Sequence, residues 1–261
     1  MKHIKVFIPI IIAVFFISAC SRLKESLQKD DKKEPTESKT ITDSFSKPQA
    51  SNTKEETSKE QSSKETKTTG GIEDLSYDVS SIPSDIKYDG NIVAGATWKD
   101  NNGSNVLIIT ETKERKKGNQ EFQSWSKELY GYQFITGSDG AKQVWKINDF
   151  IKDCEADPTL SCIKNSLSIT DINNNGVAES TFLYLLACRS DVSPAGLKLL
   201  MHEGDRKYAI RGTTKIVIKG EGANTYGGET NVDKSFDDAP DGFLKYAKEQ
   251  WSKYRVEKFG E

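Results

Sequence analysis

Ser21 to about Gly71 is dominated by Lys, Glu, Ser and Thr, with almost nothing to bury. Its apolar residues, Leu23, Leu27, Ile41, Phe45 and Ala50, recur at no period that a helix or strand would use. Runs such as Thr53-Lys54-Glu55-Glu56-Thr57-Ser58-Lys59-Glu60 mix charges of both signs. A chain of this composition cannot repay the entropy of ordering itself, so residues 20–71 are expected to form a disordered tether. Any hydrophobic core is thereby confined to residues 72–261 of the 261-residue chain, a length suited to one domain. As a flexible coil, the tether would span roughly 40 Å on average.

The segment before the tether reads as an export signal. Met1 to Lys5 carries two lysines, and Val6 to Ile17 is an apolar run. That run is shorter than the roughly twenty residues a membrane-spanning helix needs, and it has the length of a signal-peptide core. It ends in Ile17-Ser18-Ala19-Cys20. An aliphatic residue, two small residues and a cysteine resemble the lipobox of bacterial lipoproteins, which implies cleavage after residue 19 and lipidation of Cys20. The acyl chains of such an anchor, at about 0.8 kcal/mol per buried methylene, hold a protein to a membrane essentially permanently. Lys29-Asp30-Asp31 resembles the Lys-acidic-acidic surface-export signal of Bacteroidota lipoproteins. The expected location is the outer membrane, with the membrane lipid as partner.

Export changes how the cysteines read. Cys154, Cys162 and Cys188 remain for the folded part. An odd number in an oxidising compartment implies one disulfide and one buried thiol. Cys154 and Cys162 enclose a short loop; Cys154 and Cys188 enclose a longer one. Closing the longer loop removes more unfolded-state entropy, which favours Cys154–Cys188. The formal net charge is −2, with no basic excess of the kind that nucleic acid attracts.

From Ile72 onward, short runs of aromatic and β-branched residues alternate with Gly and Asn. They predict strands over Asn91–Trp98, Asn105–Glu111, Gly131–Thr136, Gln143–Phe150, Leu167–Thr170, Ser180–Cys188, Gly196–His202, Lys207–Arg211 and Lys215–Lys219. Turns are expected at Asn101-Asn102-Gly103, Ser138-Asp139-Gly140 and Glu203-Gly204-Asp205. Gln120–Leu129 reads as a short helix. Ala239–Lys253 reads as a longer one, with Pro240 near its start and Phe243, Leu244, Ala247 and Trp251 on one face. The expected class is α+β, mostly an antiparallel meander with the C-terminal helix packed on it.

The sharpest local pattern is Asp171-Ile172-Asn173-Asn174-Asn175-Gly176-Val177-Ala178-Glu179. Side-chain oxygens fall at positions one, three, five and nine. Gly176 is sixth, where a calcium loop turns sharply, and the Val177 carbonyl is a further donor. Asp171, Asn173, Asn175, Val177 and Glu179 are therefore candidate Ca2+ ligands. Position twelve is Phe182, which argues against an EF-hand, and the flanks read as strands. The competing reading is a polar hairpin that uses Asn and Gly for positive φ.

Other clusters carry less chemistry. Once the leader is removed, His202 is the only histidine. Sequence cannot place it against Ser190 and Asp191, and no nucleophile-elbow motif surrounds any serine, so no catalytic residue is assigned. His202-Glu203-Gly204-Asp205-Arg206 reads as a turn with solvated charges. Gly220 to Gly228 lacks a phosphate-binding lysine and reads as a flexible loop. Tyr226, Trp98, Tyr130 and Tyr132 are candidates for a sugar-stacking platform, or simply for core and edge packing.

Three blocks carry a family resemblance: Ser168 to Glu179, Cys188-Arg189-Ser190-Asp191-Val192-Ser193-Pro194, and Lys207-Tyr208-Ala209-Ile210-Arg211-Gly212. Across about residues 90 to 255 the chain resembles a flavobacterial lipoprotein family labelled for surface polysaccharide biosynthesis. The resemblance implies a role in making, exporting or presenting surface polysaccharide, with that polysaccharide or its assembly machinery as partner; the lack of catalytic motifs makes the expected role non-enzymatic. Two alternatives remain. One is a surface module that binds glycan or protein and is stabilised by a calcium loop. The other is an envelope glycan hydrolase using carboxylates such as Asp171 and Glu179.

Overall fold

A computed structural model describes residues 71–119, 121–218 and 225–260. The leader, Cys20, Lys29-Asp30-Asp31 and the tether up to Gly70 lie outside the described residues, as does Gly220–Asn224.

The elements in chain order are β1 (Glu73–Ser76), β2 (Asn91–Asp100), β3 (Gly103–Glu111), β4 (Arg115–Gly118), β5 (Gln123–Gly137), β6 (Gly140–Cys154), β7 (Pro158–Cys162), β8 (Ser168–Thr170), β9 (Glu179–Cys188), β10 (Gly196–Glu203), β11 (Arg206–Thr213), β12 (Lys215–Ile218), β13 (Thr225–Gly227), β14 (Thr230–Val232), α1 (Phe243–Tyr254) and β15 (Val256–Phe259). The class is α+β and mostly antiparallel sheet, as expected. A first sheet runs β1-β2-β3-β5-β4, with β6 also on β5. A second runs β14-β11-β10-β9-β7, with β8 also on β9. A small third sheet runs β13-β12-β15, and its β12–β15 pair is parallel. That pair departs from a pure meander because α1 lies on the return path, and parallel neighbours need such a long crossover.

The two large sheets pack face to face. Trp98, Leu107, Ile109, Leu129 and Trp145 of the first sheet meet Leu160, Phe182, Tyr184, Leu200 and Ala209 of the second in one buried cluster. The period-two alternation of strands sends neighbouring residues to opposite faces. Val106 and Ile108 therefore turn away from that core and pack with Ile86, Tyr132 and Phe134 on the outer side. Burial on both faces is why β3 reads as the unbroken apolar run Val106-Leu107-Ile108-Ile109. On the far side of the second sheet, Leu183, Leu199, Met201, Tyr208 and Ile210 pack against Phe243, Ala247 and Trp251 of α1. The layer order is thus outer loop, sheet, sheet, helix.

The three expected turns stand between β2 and β3, β5 and β6, and β10 and β11. The expected helix over Gln120–Leu129 is a correction: from Gln123 onward the segment is the first part of β5. It hydrogen-bonds β4 on one side and β6 on the other, and that two-sided ladder overrides a weak helical preference. The C-terminal helix starts at Phe243 rather than Ala239. Gly242 has φ 90, outside any helical region, so the chain turns there before the first helical turn. The buried stripe Phe243, Ala247 and Trp251 is the one the spacing predicts.

Cys154 and Cys188 form the disulfide, with Cα atoms 5.6 Å apart. It joins the end of β6 in the first sheet to the end of β9 in the second. Asp149 makes a polar tie between the same sheets, accepting from the Tyr184 hydroxyl at 2.9 Å and pairing with Lys198. Cys162 is a free thiol, half-buried rather than fully enclosed. Burial pushes its pKa up to about 12, so it is poor in thiolate.

Candidate functional site

The oxygen-rich loop joins β8 to β9. Asp171 opens it: Oδ1 accepts the Asn175 N–H at 3.1 Å, and Oδ2 accepts those of Gly176 and Gly71, both at 3.1 Å. Asn173 Oδ1 accepts the Asn175 N–H at 3.1 Å, and Asn175 Oδ1 accepts the Val177 N–H at 2.7 Å. The side chains at positions one, three and five are thus folded over the loop's own backbone donors. Gly176 has φ +78, and a Cβ there would lie 2.1 Å from Asn101 Nδ2. Only glycine fits, because the β2–β3 turn crosses at that point. Asn101 donates its N–H to the Gly176 carbonyl at 2.8 Å and its amide to the Asn175 carbonyl at 3.0 Å.

Glu179, at the ninth position, is fully buried. Its Oε2 accepts the Ile172 N–H at 2.9 Å and the Thr170 hydroxyl at 3.0 Å, while its Oε1 has no hydrogen-bond partner. Burial raises its pKa to about 7, and the nearby charges of Glu203 and Asp171 push the same way. Glu203 stands opposite Glu179 in the β9–β10 register. Its Oε1 accepts the amide Nδ2 of Asn173 at 2.7 Å and of Asn175 at 2.8 Å. By sequence alone Glu203 reads as a solvated turn residue. Nothing local in the sequence links it to the loop; only the pairing of β9 with β10 brings it there.

Among the described residues, no three His, Cys, Asp or Glu side chains gather as a metal-binding group. A cation at this loop would therefore draw on two carboxylates together with amide and carbonyl oxygens. Phe182, at the position an EF-hand reserves for glutamate, is buried between the sheets.

A chain of buried polar contacts runs from the loop into the core. Asp100 Oδ2 accepts the Ala178 N–H at 3.1 Å and the Trp98 indole N–H at 2.9 Å. Asp100 Oδ1 accepts from Asn105 Nδ2 at 2.9 Å. Asn105 Oδ1 accepts from Gln133 Nε2 at 3.0 Å, and Gln133 Oε1 accepts from Trp145 Nε1 at 2.8 Å. The Trp145 ring stacks on His202 of the second sheet, with ring centres 4.0 Å apart. The hydrogen bonds of this network order the first sheet, and the Ala178 N–H and the Trp145–His202 stack carry it to the second, where His202 Nδ1 has no partner.

His202 therefore belongs to the core, not to a solvated turn; it is 2% exposed. Ser190 and Asp191 are not brought to it. Asp191 caps its own loop through Ser193, and Arg189 pairs with Glu257 at 2.6 Å. Burial, with the charge of Lys207 adding to it, lowers the His202 pKa from 6.5 to about 3. Between those two values the unfolded chain binds more protons than the folded one. Stability is thus lost as pH falls from about 6.5 towards 3. His202→Phe keeps a ring against Trp145 but removes the proton site. Its melting temperature should exceed that of the parent by roughly 5 °C at pH 4.5 and differ little at pH 8. Parallel acid limbs in a pH series of melts would remove the assignment.

The four aromatic residues considered as a sugar platform are not brought together. Trp98 lies in the inter-sheet core, Tyr132 packs on the outer face of the first sheet, and Tyr226 is half exposed on β13. Only Tyr130 and Tyr132 stack, 6.0 Å apart. No family model matches the chain, and neither a curated protein nor a solved structure matches it.

Proposed function

We infer that the chain is an exported lipoprotein, anchored through Cys20 to the outer membrane, whose folded domain contributes non-enzymatically to surface polysaccharide assembly. The observation that carries the extracytoplasmic part is the Cys154–Cys188 disulfide joining the two sheets. Structural disulfides of this kind persist in oxidising compartments and are rare in the cytosol. It supports the same history that Lys2, Lys5, the apolar run and Ile17-Ser18-Ala19-Cys20 imply. The polysaccharide part rests on the three sequence blocks from Ser168 to Gly212 and their family resemblance. Those blocks fall on the β8–β9 loop, on the end of β9 with the loop that follows it, and on β11. A hydrolase using Asp171 and Glu179 gains no support, because Glu179 is closed to solvent and both carboxylates are engaged by the loop backbone.

The test compares three strains: parent, deletion and Cys20→Ala. Deletion should change the electrophoretic profile of surface polysaccharide. Cys20→Ala should accumulate unprocessed precursor that takes up no labelled palmitate. An unchanged polysaccharide profile in the deletion strain would end the assembly role, and palmitate labelling of Cys20→Ala would end the anchor.

A further inference from the structure

Glu179 poses a problem that the protein's own groups do not solve. It is 0% exposed, one oxygen is seated on the Ile172 N–H inside the loop, and the other has no partner. A buried polar atom without a partner is destabilising, and more so when charged. Asp171 and Glu203 bring two further carboxylates to the same neighbourhood, and none of the three makes an ion pair with Lys or Arg among the described residues. Carboxylates without a neighbouring base, one of them carrying a buried oxygen with no partner, leave a place that a cation can fill.

We propose that the β8–β9 loop binds one Ca2+ ion through Asp171, Asn173, Asn175, the Val177 carbonyl and Glu179, with Glu203 as the residue that positions the two amides. The oxygen count suits this ion. Calcium takes six to eight oxygens in flexible geometry, so five protein groups plus water complete a shell. Asp171 Oδ1, Asn173 Oδ1 and Asn175 Oδ1 each accept one backbone N–H, which leaves a lone pair on each. Glu179 Oε1 is wholly free.

Glu203 explains how the amides are held. An asparagine can present either its oxygen or its nitrogen, and a loop needing two oxygens must fix both. Glu203 Oε1 takes Nδ2 of Asn173 and of Asn175 together. With both nitrogens held there, both oxygens turn to the loop side. Outer partners of this kind orient ligands, and losing one typically costs 10–100-fold in metal affinity. A bound ion would also stiffen the junction between the sheets, since Gly176 and Ala178 of this loop bond Asn101 and Asp100 of the β2–β3 turn.

The inference does not depend on the anchoring or polysaccharide reading; it concerns the loop alone. Only two of the five protein groups are charged, so the expected Kd is about 10⁻⁴–10⁻³ M. The full chain, purified in detergent, is titrated with CaCl2 by calorimetry and melted in CaCl2, in MgCl2 and in chelator. At a calcium concentration tenfold above Kd, the midpoint should rise by about 3–6 °C over chelator. Magnesium should shift it less, because Mg2+ demands a tighter octahedral shell. Asp171→Asn should weaken binding at least tenfold, and Glu203→Ala should weaken it about 10–100-fold without removing any ligand. Should Glu179→Gln fail to fold, Asn175→Ala removes a more exposed ligand and should also abolish the shift. Coincident melts at 10 mM CaCl2 with no calorimetric heat overturn the proposal. So does calcium binding that Asp171→Asn, Asn175→Ala and Glu203→Ala leave unchanged, which would mark an adventitious ion only.

Discussion

Replacing Cys154 and Cys188 together with alanine should lower the unfolding free energy by about 3–4 kcal/mol. The half-cystines are separated by 34 residues, and closing a loop of that length removes a matching share of the unfolded chain's entropy. The bridge adds a cross-link between the ends of β6 and β9, beside the short backbone connection from β6 to β7 that also joins the sheets. Paired substitution is the right design because a single one leaves an unpaired thiol in a protein that already carries the free Cys162. Urea unfolding of parent and double variant should give a lower midpoint with a similar slope, while reduced parent should behave like the variant. A loss below about 1 kcal/mol would mean that the bridge removes little freedom from the unfolded chain.

Phe182→Ala should cost about as much or more, in the range of about 3–5 kcal/mol. Phe182 is 0% exposed and sits in the cluster between the sheets. It lies opposite Leu200 in the register of the second sheet, and its ring reaches across to Gly131 of β5. Gly131 leaves the opening into which the ring fits, so truncation empties a space at the centre of the inter-sheet cluster. The cavity left behind adds to the lost transfer energy, which explains the size of the loss. The melting midpoint should fall by roughly 10 °C. Phe182→Leu, which keeps most of the volume, should lose clearly less. If the two variants melt together, Phe182 does not fill the inter-sheet core in the way described.

Much of this architecture is legible in short sequence runs. Val106 to Ile109 reads as a strand because β-branched and aliphatic residues crowd together, and the double burial of β3 is what such a run needs. The turns at Asn101-Asn102-Gly103 and Ser138-Asp139-Gly140 follow from residues that accept turn geometry. Phe243, Ala247 and Trp251 mark one helix face by spacing alone. Short strands such as β4, β7 and β14 leave no such trace. Three to five residues on a sheet edge carry too little alternation to read, and their ladder partners are remote in sequence. Gln123–Leu129 misleads for a related reason: its preference is weak, and β4 and β6 decide it from either side.

The sequence by itself determined what is set by neighbouring residues. The composition of residues 20–71 bounded the core, short β-branched and aromatic runs marked the strands, and the order Asp171, Asn173, Asn175, Gly176, Glu179 marked a polar loop that turns at a glycine. Loop-closure entropy favoured Cys154–Cys188 over the nearer Cys162, and that is the pair that forms. Only the tertiary structure decided what depends on remote chain segments meeting. It buried His202 against Trp145, sent Trp98 and Tyr132 to opposite faces of one sheet, and set Glu203 beneath both loop amides. Burial and pairing are properties of two surfaces in contact, so a residue such as Glu203 acquires its role only when β10 aligns with β9.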